Sequence, residues 1–437
     1  MTVLSIHNGV APLGVGTDES GTLTIAGLSA RELVNRFDSP LYVMDEATIR
    51  HQCRLYTRTL GDVYPNHMVV FAGKSCLNLG LLNLMAEEGL GVDVVSAGEL
   101  LTALKSNIPI PSIVLHGNNK SVAELDMALS HSVRIVVDHE AELHTILQLV
   151  EQRGLIARIM FRLKPEIEAH THDFIKTGHI DSKFGIDQTD LLRLVRLIKD
   201  HPKIRFLGLH SHIGSQIFDV DPYVTLADLM ATHTIRISEE LGRPLDEINL
   251  GGGIGIQYVA SDDPMPIPDV ISRMATRLKE RFDRVGYRHP KLIVEPGRSI
   301  VGTAGVTLYT VGAIKEIPGI KTYVFVDGGM ADNIRPMLYQ SQYTYCNASQ
   351  AHQEATEPYA IAGRYCESGD VLTHRTLLAP VSVGDLIAVF GTGAYNYTMS
   401  SQYNRTARPA MVLVSHQKAT TLIERESLDD LLRLDVV

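Results

Sequence analysis

The run Cys366-Glu367-Ser368-Gly369-Asp370 sets a thiol beside a carboxylate in a glycine-containing turn. A thiol can deliver a proton, and a carboxylate can hold a cation. That pairing suits an enzyme acting on an amino acid with a second amino group. A small buried cysteine before a solvated acidic turn fits the same residues, because free cysteine is among the most buried types. Lys74, in FAGKS, is flanked by Ala72 and Gly73 and would be an amine nucleophile where a partly apolar setting lowers its pKa. A surface lysine is the plain alternative. His210 and His212 alternate along one expected strand and so share a face. With Phe206 and Gly208 they are expected to point inward, and Leu207 and Leu209 outward. His212, nearer the strand end, would then suit stacking on a flat ring. A two-histidine metal site needs a third ligand, and none stands at a matching spacing, so no metal is expected. Gly251-Gly252-Gly253-Ile254-Gly255 offers consecutive amides to an anion such as phosphate, or forms a tight turn. It is not a dinucleotide fingerprint, since residue 256 is Ile. Glu295-Pro296-Gly297-Arg298 is either a structural ion pair or a carboxylate for a protonated ring nitrogen, with Arg298 and the Gly297 amide near a phosphate.

These residues need elements to position them. Eight apolar runs, at 68–73, 91–95, 112–116, 134–138, 157–163, 205–212, 247–250 and 291–295, alternate with amphipathic segments such as LGLLNLMAEEGL and TDLLRLVRLIKD. Eight β/α units over this length predict a (β/α)8 barrel, whose active site is built at the C-terminal strand ends. Lys74, His212, the glycine run and Glu295 all fall at such ends. Lysine, glycine nest, ring-stacking histidine and ring-nitrogen carboxylate are together what pyridoxal phosphate requires. After residue 305, runs such as GVTLYTVGAIKEI, KTYVFVDGG, DLIAVF and PAMVLV are β-rich and broken by Gly and Pro. The N-terminus reads as a strand (TLTIAG), a helix opened by Ser29, then PLYVMD. The expected fold class is α/β, a (β/α)8 barrel plus a mainly β C-terminal domain completed by the N-terminal segment. The expected divisions are 1–44, 45–304 and 305–437. A chain of 437 residues is too long for one ordinary core. The net charge of -10, with no basic stripe, argues against nucleic acid. No apolar run approaches membrane-spanning length, and MTVLSIHNGV lacks a signal-peptide pattern. The four cysteines, Cys53, Cys76, Cys346 and Cys366, form no C-x-x-C pair, which fits a cytoplasmic chain without structural zinc.

FAGKS, GVDVVSAGEL, HGNNKS, HSHIGSQ, LGGGIG, EPGRS and CESGD occur in that order along the chain. In this it resembles the fold-type III pyridoxal-phosphate decarboxylases, and among them the family that converts meso-diaminopimelate to L-lysine. The resemblance implies pyridoxal 5'-phosphate as cofactor, linked covalently to Lys74, with His212 stacked on its ring. It assigns Ser215, Gly252, Gly253, Glu295, Gly297, Arg298 and Tyr395 to the cofactor. It makes Cys366 the proton donor, supplied from the partner subunit of a homodimer with shared active sites. DGGMADNIRPMLY (327–339) matches the segment whose arginine and tyrosine bind substrate, here Arg335 and Tyr339. Glu367, Arg298 and Tyr395 complete the implied substrate contacts. Such a substrate carries an ammonium and a carboxylate at each end. Its distal end needs an anion, Glu367, and a cation, Arg335, and an Arg–carboxylate contact is charge-assisted and often bidentate. Phe71 replaces the usual tyrosine before the lysine, Ser75 stands in AGKSC where AVKAN is usual, and Arg364 adds a charge beside the cysteine. Rival readings are a decarboxylase of the same fold acting on ornithine, arginine or carboxynorspermidine, an alanine-racemase-like enzyme, and a non-catalytic regulatory homologue.

Overall fold

The computed structural model describes residues 9–167 and 183–436. The chain divides into two compact units: residues 52–255 with 264–299, and residues 1–51 with 256–263 and 300–437.

The first unit is the barrel. Its strands are β1 (His67–Ala72), β2 (Gly91–Val94), β3 (Ile113–Leu115), β4 (Arg134–Val137), β5 (Ala157–Arg162), β6 (Ile204–His210), β7 (Glu247–Asn249) and β8 (Lys291–Val294). Each pairs in parallel with the next, and β8 pairs with β1 to close the ring. All eight lie within two residues of the expected apolar runs. Most are rich in Val, Ile and Leu because a parallel strand is covered on both faces. Several of the intervening helices start where a side chain accepts an orphan amide. Asn78, Ser96 and Ser121 do this for Leu79–Glu87, Ala97–Lys105 and Val122–Ser130.

Val70, Val114, Val136, Met160, Leu207 and Ile293, from six strands, form one buried cluster. Side chains from six strands of a closed ring meet only in its interior. At the N-terminal strand ends Arg134 and Glu247 form a buried two-point ion pair, at 2.8 and 2.6 Å.

The facing expected along β6 needs correction. Its pairing with β5 slips between Phe206 and Gly208. Leu207 therefore joins the interior cluster, and Phe206 packs on Phe161 with ring centroids 4.8 Å apart. Beyond the slip, Gly208 pairs with Met160 and His210 with Arg162, so His210 still faces inward. A β-bulge adds one residue to one strand and so exchanges the sides of the residues before it relative to those after it. Gly208 is required there, since a Cβ would lie 1.7 Å from the Glu247 carbonyl oxygen. β6 also ends at His210, so His212 lies beyond the strand rather than on it.

The second unit is mainly β. Leu41–Asp45 lies between Gly305–Ile317, antiparallel to it, and Ala410–Ser415, parallel to it. The N-terminal strand is thus at the centre of this sheet, with all five residues buried. Helix Ala30–Phe37 is opened by a capping box between Ser29 and Glu32. Gly305–Ile317 pairs with Leu386–Phe390 through its first half and with Lys321–Val326 through its second.

The expected divisions at 44/45 and 304/305 move to 51/52 and 299/300. Residues 256–263, expected within the barrel, group with the β unit. Tyr258 explains this: its carbonyl accepts from Thr344 Oγ1 at 2.8 Å and its ring meets Tyr343 edge-on at 5.3 Å. No helix among the described residues is long and apolar enough to cross a membrane.

Candidate active site

Lys74 sits in a 3-10 turn, Gly73–Ser75, directly after β1. It is exposed rather than set in an apolar pocket. Ser75 is buried and donates its hydroxyl to the Ala72 carbonyl at 2.7 Å, which tightens this turn. The glycine run follows β7. A Cβ on Gly252 would lie 2.0 Å from the Glu295 carbonyl oxygen, and one on Gly253, at φ +103°, 2.1 Å from that of Gly214. Only side-chain-free backbone fits this cradle. His212 lies against the same run. Its Nδ1 accepts from the Gly252 amide at 3.3 Å, and a Cβ on Gly251 would lie 2.8 Å from that nitrogen. Burial and then the Lys74 ammonium hold His212 well below the usual imidazole range, so it is neutral. Arg298 is buried and donates from Nη2 to Ser215 Oγ at 3.1 Å.

Glu295 follows β8 directly, and its carboxylate is surrounded. His116 Nε2 lies 2.8 Å from Oε1, Asn249 Nδ2 2.6 Å from Oε1, and His210 Nε2 3.1 Å from Oε2. Burial alone would raise the Glu295 carboxyl, but the two imidazoles overcome it and hold it well below the usual carboxylate range. Burial also opposes a charge on His116, yet Glu295 and Asp93 win and raise it. At His210 burial wins, and its pKa falls to about 4. The cluster thus holds an ionised Glu295, a His116 biased toward charge, and a neutral His210 donating from Nε2.

The β unit holds the other expected residues. Arg335 opens the helix Arg335–Tyr339 and is buried, with no carboxylate partner among the described residues. Its guanidinium carbon lies 5.0 Å from the Tyr339 ring centre and 5.5 Å from that of Tyr395. Three expected substrate residues therefore meet. Cys366 is exposed, whereas the other three cysteines are buried. Glu367 is exposed, and its carboxylate accepts from the Gly369 amide at 3.2 Å. Asp370 is buried and joins the two motif segments, accepting from Met330 N at 2.7 Å and Tyr365 N at 2.9 Å. Asp332 is buried beneath the same turn and accepts from Tyr309 at 2.5 Å and Tyr365 at 3.1 Å.

The sequence profile described as "Pyridoxal-dependent decarboxylase, pyridoxal binding domain" matches residues 46–302. The diaminopimelate decarboxylase of Synechocystis sp. is 43% identical, over 99% of this chain and 94% of that protein. That of Bacillus subtilis is 41% identical, over 96% of each. The chain belongs to the diaminopimelate decarboxylase family. The solved diaminopimelate decarboxylase of M. jannaschii, in complex with L-lysine, superposes with a TM-score of 0.88 at 33% identity, covering 98% of this chain and 99% of that one.

Membership of this family brings pyridoxal phosphate as cofactor, and the barrel residues fit it. The glycine run admits no Cβ, and with the Gly251 and Gly252 amides donating to Asn249 and His212, the Gly253 and Ile254 amides are those that would meet an anion. An ionised, buried carboxylate suits a protonated ring nitrogen. His116 and Asn249 went unassigned in the sequence, although β3 and β7 end beside them. The strand-end rule that singled out Lys74 and Glu295 covers both. His116, His210 and Glu295 form a different three-ligand cluster, without His212, that sequence spacing had not shown, their ligand atoms lying within 4.8 Å of one another. The Nε2 of each of the two imidazoles is already hydrogen-bonded to the carboxylate.

Proposed function

We propose that this chain decarboxylates meso-2,6-diaminopimelate to L-lysine and carbon dioxide, the last step of lysine biosynthesis. The observation that carries this is Arg335. A buried guanidinium framed by Tyr339 and Tyr395, without a carboxylate partner among the described residues, suits a substrate that brings a distal carboxylate. Ornithine and lysine have none. An unpaired buried charge is costly, so such a site rejects substrates that leave it unpaired.

Pyridoxal phosphate, when bound, supplies the electron sink for the pair left behind by departing carbon dioxide. Lys74 would hold it covalently, His212 would cover its ring, and Glu295 would take the ring-nitrogen end. Gly252, Gly253, Gly297, Ser215 and Arg298 would hold its phosphate, and the family resemblance adds Tyr395. Arg298 is also a substrate contact in that resemblance. Cys366 gives its thiol proton to the substrate α-carbon and, being exposed, regains one from solvent. Glu367 takes the distal ammonium. The working assembly is a homodimer in which Cys366 and Glu367 serve the partner's site. Four thiols, none in a disulfide, support a cytoplasmic setting.

Separate incubations with meso-diaminopimelate, lysine, ornithine and arginine test the reading. Carbon dioxide is expected from meso-diaminopimelate; release from ornithine alone would overturn the assignment. Lys74→Ala is expected to lose the borohydride-reducible link to the cofactor.

A further inference from the structure

The Glu295 carboxylate receives donors from three separate strand ends. His116 follows β3, Asn249 ends β7 and His210 ends β6. Glu295, His116, His210 and Asn249 are 7%, 5%, 1% and 0% exposed. A carboxylate offers about four lone-pair positions. Two on Oε1 are taken, by His116 at 2.8 Å and Asn249 at 2.6 Å. One on Oε2 is taken, by His210 at 3.1 Å. The two imidazoles brace each other edge-to-face, with centroids 4.7 Å apart. Asn249 is itself fixed, because its Oδ1 accepts from the Gly251 amide at 2.9 Å.

We propose that His116, His210 and Asn249 are positioning residues: His116 and Asn249 saturate Oε1 of Glu295, and His210 takes one position on Oε2, leaving the other on Oε2 for the cofactor's ring nitrogen. This rests on the reading of Glu295 as the ring-nitrogen partner. The three donors restrict the carboxylate to one rotation and direct its remaining lone pair. A carboxylate without them could turn either oxygen to the ring or rehydrate. His210 has a second duty: Nε2 must carry its hydrogen to donate, so Nδ1 is the unprotonated nitrogen. In keeping with this, Nδ1 has no hydrogen-bond partner among the described residues. Asp93 Oδ1 lies 4.0 Å from His116 Nε2, outside hydrogen-bond reach.

The test compares loaded His116→Leu and His210→Leu with His116→Gln, His210→Gln and Glu295→Gln. Three properties are measured: the visible absorption of bound cofactor, its dissociation constant, and kcat separately from KM. The leucine variants are expected to shift the visible band toward that of Glu295→Gln. Their kcat should fall on the order of 10- to 100-fold, the loss of one charge-assisted hydrogen bond, with KM changed far less. Glutamine retains an N–H donor and is expected to restore the band. Leucine variants that melt like the wild type and keep its band and kcat would overturn the proposal. So would glutamine variants as impaired as the leucine ones, since that marks a packing role. Should the leucine variants fail to fold, the glutamine pair decides. A wild-type band in both supports the proposal, and a band like that of Glu295→Gln in either overturns it. If Glu295→Gln itself keeps the wild-type band and kcat, the ring-nitrogen reading has failed, whatever the histidine variants show.

Discussion

Cys366 and Arg335 show how one side chain's setting decides its chemistry. The thiol is the exposed one of four, so the plain reading of a buried structural cysteine does not hold for it. Arg335 is buried, stacked near two tyrosines, and lacks a carboxylate among the described residues. A guanidinium placed so is waiting for an anion, because burying it unpaired is costly. Arg335→Leu is therefore expected to lower kcat/KM for meso-diaminopimelate by about 10- to 100-fold, the worth of a charged hydrogen bond. Steady-state kinetics with meso-diaminopimelate and ornithine would check it. Undiminished preference for the longer diacid would remove Arg335 from substrate recognition. Lysine at this position would not be conservative, since it lacks the planar fork.

At the level of elements, the turn carrying Cys366 and Glu367 is tied to the Arg335 segment by two aspartates. Asp370 accepts from Met330 N and Tyr365 N, and Asp332 from Tyr309 and Tyr365. Burial raises the Asp370 carboxyl too, and the larger shift is at Asp332. Burial raises its carboxyl from 3.8 to about 7, against the opposing pull of its hydrogen bonds. Between these values the folded chain keeps a proton that the unfolded chain has released. Its contribution to stability is whole below about 3.8 and is lost as pH rises toward 7. Asp332→Asn is expected to flatten this part of the profile, measured as the denaturation midpoint against pH. An unchanged slope from pH 4 to 7 would exclude Asp332 as its source. Sequence pattern located these elements well: the barrel strands, the Ser29 helix and Leu41–Asp45 all fall where periodicity and capping put them. It failed inside β6, because alternation counts residues evenly and a bulge does not.

For the whole molecule, the proposed homodimer makes Cys366 complete the site of its partner. Lys74→Ala and Cys366→Ala chains, each inactive alone, should then complement each other on mixing. Random pairing gives half mixed dimers, each with one intact site, so recovery should approach about a quarter of wild-type activity. Activity after co-expression or subunit exchange measures this. No recovery in demonstrated mixed dimers would place Cys366 and Lys74 in a site made by one chain.

The information legible along the chain was local. Residue types, strand-end positions and glycine runs are written in short windows, and they were enough to predict the barrel and to single out Lys74, His212, Glu295 and Cys366 as candidates. The clamp on Glu295 was settled by tertiary structure. Its donors lie 179, 85 and 46 residues away along the chain, and closure of the parallel ring is what brings their strand ends together. The inward facing of Leu207 belongs with it, because the slip that turns it inward lies in the pairing of β6 with β5. Contacts between distant strands leave no periodic trace in either strand, so only the closed barrel shows which side chains share a carboxylate.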